Sequence, residues 1–280
     1  MSYKTILVHV DDAPSLEARL ETAFRIADSE SGHVIGAAAT GISRLIFQAS
    51  DGVDAGMAEC IDTMLDSAKA QAVQSLDRFE NFARARGLSY ERKLVEDEPH
   101  AGLSRLAQYS DLAIVGQADR DDPASTSIIN LPEYIALGSG RPVLVVPASG
   151  TRVTPPRRVL IGWNASPSAA HAVMMALPFL KRASHVDLAV FNPVSNQNVQ
   201  TEESCADLTK YLARHGVNAN TILKETRTDI GSALLQMAAE QNADMLVMGC
   251  YGHTRFREIL LGGATRTVLE AMTIPVTMAH

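Results

Sequence analysis

The run Ile6-Leu7-Val8-His9-Val10-Asp11 returns past the midpoint of the chain as Val159-Leu160-Ile161-Gly162-Trp163-Asn164. Each copy is a short apolar stretch that stops at an acid or its amide. A helix start then follows: Ala13-Pro14-Ser15 in one copy, Ala165-Ser166-Pro167-Ser168 in the other. A serine at the N-cap with proline at the first helical position is a sound start signal, because proline lacks an N–H that would go unused there. Later landmarks repeat as well. Ser110-Asp111-Leu112-Ala113-Ile114-Val115-Gly116 answers to Ala243-Asp244-Met245-Leu246-Val247-Met248-Gly249. Each copy closes on an extended run after a proline, Pro142-Val143-Leu144-Val145-Val146 and Pro275-Val276-Thr277-Met278. Such self-similarity predicts two copies of one unit.

Outward from these runs, each half reads as five strands alternating with four helices. Strands are expected near 4–10, 33–39, 90–95, 111–116 and 142–146, then near 157–163, 185–191, 219–224, 244–249 and 274–278. Those of the first half read as near-continuous apolar runs of a sheet covered on both faces. Helices are expected over 61–83, where Ile61, Leu65, Ala68, Ala72, Leu76, Phe79 and Ala83 share a face, and near 167–181, 202–215, 230–241 and 263–271. Alternating strands and helices imply parallel pairing with right-handed crossovers. The fold class is therefore α/β, with two tandem doubly wound domains, each a five-stranded parallel sheet flanked by helices. Domain boundaries of 1–149 and 155–280 place the linker in the Pro/Gly/Ser/Thr-rich stretch 148–156. Residues 40–59 stand out as a long Gly-containing insertion, read as an interface or a lid.

The totals restrict function. The chain has 280 residues, 46% hydrophobic and 20% charged, with a net charge of −7. That charge argues against a nucleic-acid partner, which needs clustered Lys and Arg. A backbone nest can still hold a small anion. Cys60, Cys205 and Cys250 are odd in number and widely spaced, so neither a disulfide framework nor a zinc site is expected. No membrane span or signal peptide is expected, and a cytoplasmic location is the default.

In an open doubly wound sheet, ligands bind beyond the strand C-termini where the winding reverses, here between the first and fourth strands of each half. In the second half that place holds Gly249-Cys250-Tyr251-Gly252, then His253 to Leu261, then Gly262-Gly263-Ala264-Thr265: G-x2-G-x9-G-G entering a helix. Glycine permits positive φ and close backbone approach, so successive N–H groups can turn towards an anion. The free N–H groups of the following helix favour a phosphate.

Two halves carrying this glycine motif after the fourth strand of the second resemble a tandem universal stress protein, over essentially the whole chain. The resemblance implies a Rossmann-like universal stress protein fold and divides ATP binders from non-binders by the glycine motif. It implies an ATP site, with or without Mg²⁺, in the second half. Asn164 would stand where the family has a nucleoside-contacting Asp, and Gly162 lies two residues before it. Val190 would line the adenine pocket. Met248, Gly249, Gly252, Gly262, Gly263 and Ala264 would hold ribose and phosphates. His253 and Arg255 would reach the γ-phosphate. Two departures matter: Asn164 loses a charge but keeps an acceptor, and Gly263 replaces a hydroxyl residue. The resemblance also implies edge pairing between the halves as a pseudo-dimer, with a homodimer and an unidentified protein partner as further expectations.

The first half lacks the second glycine: its fourth strand ends Gly116-Gln117-Ala118-Asp119-Arg120-Asp121-Asp122. It keeps Asp11 but reads as a scaffold that does not bind ATP. His9 reads as a core histidine, Cys250 as an inert thiol, Trp163 as packing. No Walker A run, nucleophile elbow or H-E-x-x-H is present, and no base is committed to hydrolysis. The leading reading is an ATP-binding regulatory stress-response protein that turns nucleotide over slowly or not at all. Its alternatives are a nucleotide-independent interaction module and a slow ATPase.

Overall fold

The computed structural model describes residues 2–41, 55–118, 128–150, 156–193, 202–251 and 263–280. The first half runs β1 (Thr5–His9), α1 (Leu16–Glu30), β2 (His33–Ala39), α2 (Ala55–Arg84), β3 (Tyr90–Val95), α3 (Pro99–Ala107), β4 (Leu112–Gly116), α4 (Leu131–Ser139) and β5 (Val143–Val146). The second runs β6 (Arg158–Gly162), α5 (Pro167–Met175), α6 (Leu177–Leu180), β7 (His185–Phe191), α7 (Glu202–Arg214), β8 (Ala219–Lys224), α8 (Ile230–Glu240), β9 (Met245–Gly249), α9 (Ala264–Ala271) and β10 (Val276–Ala279).

The ten strands form one sheet in the order β3-β2-β1-β4-β5-β10-β9-β6-β7-β8. Pairing is parallel within each half and antiparallel only at the seam, where Val276 faces Val145 and Met278 faces Val143. The order is its own mirror image about that seam, so the two halves are related by a pseudo-twofold axis. The expected pairing of last strands is what joins them. It removes two open edges at once.

The repeat extends to single hydrogen bonds. Asp111 accepts from the N–H groups of Lys4 (2.8 Å) and Thr5 (2.9 Å), and Asp244 does the same for Arg157 (2.9 Å) and Arg158 (3.0 Å). Each acid thus closes the open start of the first strand in its own half. Across the seam, the Tyr3 hydroxyl donates to the Met175 carbonyl at 2.7 Å and its ring packs on Phe179, centroids 5.0 Å apart. Burial, with Glu30 and Asp111 nearby, pushes the Tyr3 phenol well above its ordinary pKa. Gln117 spans the halves too: its amide donates to the Leu269 carbonyl (2.8 Å) at the end of α9 and accepts from Ala148 N–H (3.0 Å).

Three expectations change. The helix expected over 167–181 breaks into α5 and α6 around Ala176, because Pro178 cannot donate to the helix before it. Residues 55–59 of the expected insertion are already helical, as the start of α2; the rest, 42–54, lies outside the described residues. The edge strand β3 is not the apolar run expected: Arg92 and Lys93 are exposed, as are Asn220 and Thr221 on its counterpart β8, since each strand has a neighbour on one side only. Among the described residues no helix is long and apolar enough to cross a membrane.

Candidate functional site

In both halves the winding reverses where expected, between β1 and β4 and between β6 and β9. In the second half the strand ends Gly162 and Met248 are register partners. Gly249 follows, and a Cβ there would lie 2.5 Å from the Ala169 nitrogen and 2.6 Å from the Ser168 carbonyl carbon. The first glycine of the motif is therefore required by the close approach of β9 to the first turn of α5. It does not serve by positive φ, as the sequence suggested: its φ lies outside the left-handed region.

The chain re-enters the described region at Gly263, which caps α9 with extended backbone (φ −66°, ψ 168°) and no side-chain hydrogen bond. Ala264 begins the helix, Gly263 offers its first-turn N–H groups no side chain, and the Arg266 N–H turns back to the Gly263 carbonyl at 2.9 Å. Gly231 in α8 brings that turn close, since a Cβ at 231 would sit 2.7 Å from the Ala264 carbonyl oxygen. The sequence reading missed this residue; a glycine one position into a helix was the available signal.

Asn164 holds the turn after β6. Its side-chain oxygen accepts from both the N–H (3.2 Å) and the hydroxyl (2.6 Å) of Ser166. The acceptor expected to meet a ribose hydroxyl is thus engaged by Ser166, and the amide NH2 is the end that remains. Ser166 in turn caps α5 by accepting from Ala169 N–H at 3.2 Å, as its place before Pro167 predicted. The Val190 side chain is fully buried in the core among Ile161, Leu188 and Leu212, so it lines no opening and only its main chain could meet a ligand. Met248 is buried as well, on the opposite face of the sheet. Trp163 is partly buried, and its indole N–H is a buried donor without a hydrogen bond. Cys250 is buried, with its carbonyl 3.0 Å from His280 Nδ1. Gly252, His253, Arg255 and Gly262 lie outside the described residues.

The first half holds what the sequence did not reveal. A cavity of about 430 Å³ opens at the β1 end, bounded by β2, α2 and the start of α3. At its base Asp11 accepts from Ala13 N–H (3.0 Å), matching the turn made by Asn164. It also forms a two-pronged ion pair with Arg19 of α1, through Nη1 at 3.0 Å and through Nη2. Arg19 is 0% exposed. Aligning Asp11 with Asn164 sets Arg19 opposite Ala172 and His9 opposite Gly162. The first half has thus placed two basic side chains where the second has almost none, and that alignment was the signal available for them.

Burial opposes ionisation of Asp11, but the Arg19 charge and hydrogen bonds outweigh it and lower the pKa to about 2. Burial lowers His9 to about 4, against the pull of Asp11. The core reading of His9 fits its 3% exposure, although the ring also lines the cavity. A histidine kept neutral in the fold binds a proton only when the chain unfolds, so unfolding is favoured as pH falls from about 6.5 to about 4. The expected loss across that window is about 3 kcal/mol, followed by a further loss from Asp11 between about pH 4 and 2. Denaturant midpoints at pH 7 and pH 4.5 measure it. His9→Gln should flatten the decline, and an unchanged slope would contradict the assignment.

The universal stress protein family model matches residues 156–280. A universal stress protein from Archaeoglobus fulgidus DSM 4304 superposes with TM-score 0.75 at 16% identity, over 99% of this chain and 96% of that one. A candidate universal stress protein from Pseudomonas aeruginosa UCBPP-PA14 superposes with TM-score 0.63 at 18% identity, over 99% and 93%. At these identities the likeness speaks for the fold. No curated protein matches the chain in sequence. Residues 156–280 thus match the universal stress protein family model, and the whole chain, two copies of one unit, has the fold of the universal stress proteins on which it superposes.

Proposed function

We propose that this chain is a cytoplasmic regulatory stress-response protein that binds ATP in its second half and does not hydrolyse it rapidly. The observation that carries the reading is the α9 N-terminus. Among the described residues its first turn has no side-chain cap at Gly263, at the winding reversal and at the end of the glycine motif. Main-chain donors from Gly249, Gly252, Gly262, Gly263 and Ala264 would take the phosphates, with Met248 beneath. Gly162, the Asn164 amide and the Val190 main chain would meet the nucleoside. His253 and Arg255 would face the terminal phosphate, and Mg²⁺ would arrive with the nucleotide. Held nucleotide would bias contacts with a partner protein or a second copy of the chain.

A second reading, a nucleotide-independent interaction module, is favoured by one observation: the Asn164 oxygen is already bonded to Ser166. Titrating ATP into the full chain separates the two. Saturable binding below about 1 mM, roughly 4 kcal/mol of binding energy, is expected. Absence of binding at that concentration would leave the interaction module standing.

A further inference from the structure

Gln117 follows β4 in the first half, and its side chain ends on the second. Its amide NH2 donates to the Leu269 carbonyl at 2.8 Å and to the Glu270 carbonyl at 3.2 Å, both in the last turn of α9. Its oxygen accepts from Ala148 N–H at 3.0 Å. These partners fix the amide, because turning it over would set NH2 against an N–H and oxygen against two carbonyls. The last carbonyls of a helix have no partner inside it, so donors placed there complete the helix end. The pseudo-twofold axis does not repeat this contact. Gln117 N–H bonds to the Val146 carbonyl (2.8 Å) as Cys250 N–H bonds to the Ala279 carbonyl (3.0 Å), so Cys250 holds the matching place in the second half. A cysteine carries no amide to offer α4, the helix that matches α9. The last turn of α4 takes a side-chain donor from its own half instead, Gln108 Nε2 to the Gly138 carbonyl at 3.3 Å.

The two ends of α9 are thus held from different halves. Near its start it packs against Gly231 of α8, where a Cβ would lie 2.7 Å from both the Ala264 carbonyl oxygen and Thr267 Cβ. At its far end the first half holds it through Gln117. A helix of eight residues spans only about 12 Å and moves as one rod. A shift at Leu269 therefore re-aims the N–H groups that follow Gly263. We propose that Gln117 is a positioning residue, through which the first half aims the α9 N-terminus and sets the affinity of the second half for the phosphates of a nucleotide. This role rests on the nucleotide reading of the second half. The half without the glycine motif would then act on the half that has it.

The test compares the full-length wild-type chain with Gln117→Glu and Gln117→Ala, titrating each with ATP and with adenosine by calorimetry. Gln117→Glu keeps the shape and the acceptor for Ala148 but turns a carboxylate oxygen to the two carbonyls, at the negative end of the helix dipole. ATP should bind Gln117→Glu at least about fivefold more weakly, the lower end of usual coupling between distant sites, with adenosine within about twofold of wild type. Gln117→Ala, which adds no charge, should shift ATP affinity in the same direction. Adenosine has no phosphate to lose, so general loosening of the fold would not separate the two ligands. Without ligand, hydrogen exchange in either variant should quicken over residues 264–271 and stay as in wild type over β9. The proposal is overturned if wild type binds ATP and both variants bind it equally well, if ATP and adenosine weaken together, or if exchange in α9 is unchanged. A wild-type chain that binds neither ligand overturns the nucleotide reading itself, and the role of Gln117 in affinity falls with it.

Discussion

Arg19→Ala is expected to destabilise the protein by about 3–5 kcal/mol at pH 7, the range for removing one partner of a buried ion pair. Arg19 is wholly buried, and the Asp11 side chain is only 19% exposed. Removing the guanidinium leaves a carboxylate beside His9 with one backbone hydrogen bond from Ala13. It also empties the space against Gly116, where the Arg19 atoms lie 3.4–3.5 Å from a Cβ built on that glycine. The double variant Arg19→Ala/Asp11→Asn should recover a large part of the loss, because the second half folds with Ala172 and Asn164 at the matching positions. Denaturant unfolding of the single and double variants measures both steps. A single variant within about 0.5 kcal/mol of wild type would mean that the pair is incidental.

Gly249→Val is expected to cost about 3 kcal/mol, at the upper end for overpacking, because the added carbon would meet main chain rather than a movable side chain. Relief requires α5 to shift away from β9. That shift would spread the end of β9 from the Ser166–Asn164 turn that frames the proposed site. ATP affinity should therefore fall together with stability, a pairing read by thermal unfolding with and without nucleotide. A stable Gly249→Val protein with unchanged affinity would show that the close approach is not needed.

Much of the fold was legible because its signals are local and repeated. The β7 and β8 spans, 185–191 and 219–224, stand where the alternation of strands and helices placed them. Pairing of the two last strands was expected from the family resemblance, and the structure adds that it is antiparallel. The edge strand β3 was misjudged because burial depends on how many neighbours a strand has, and YERKLV does not state that by itself. The break at Pro178 was readable from its chemistry but was absorbed into an apparently continuous apolar helix.

The candidate site was legible only in part. The glycine motif announced itself, yet the role of Gly249 is set by Ser168 and Ala169, some 80 residues earlier in the chain. The commitment of the Asn164 oxygen to Ser166 was open to reading, since Asn two residues before a serine commonly makes that turn. The buried Arg19 was not, because an arginine in the first turns of a helix reads as a solvated charge until its partner is known. The half set aside as a scaffold holds an open cavity and a buried ion pair.

The most direct test of the central claim is to denature freshly purified wild-type and Gly252→Val chains and identify the nucleotide each releases, with ATP titrated into both. Adenine nucleotide released by wild type, and at least about tenfold weaker ATP binding in the variant, is the result expected of a site on the second-half glycine loop. Equal release or equal affinity in the two proteins would contradict it.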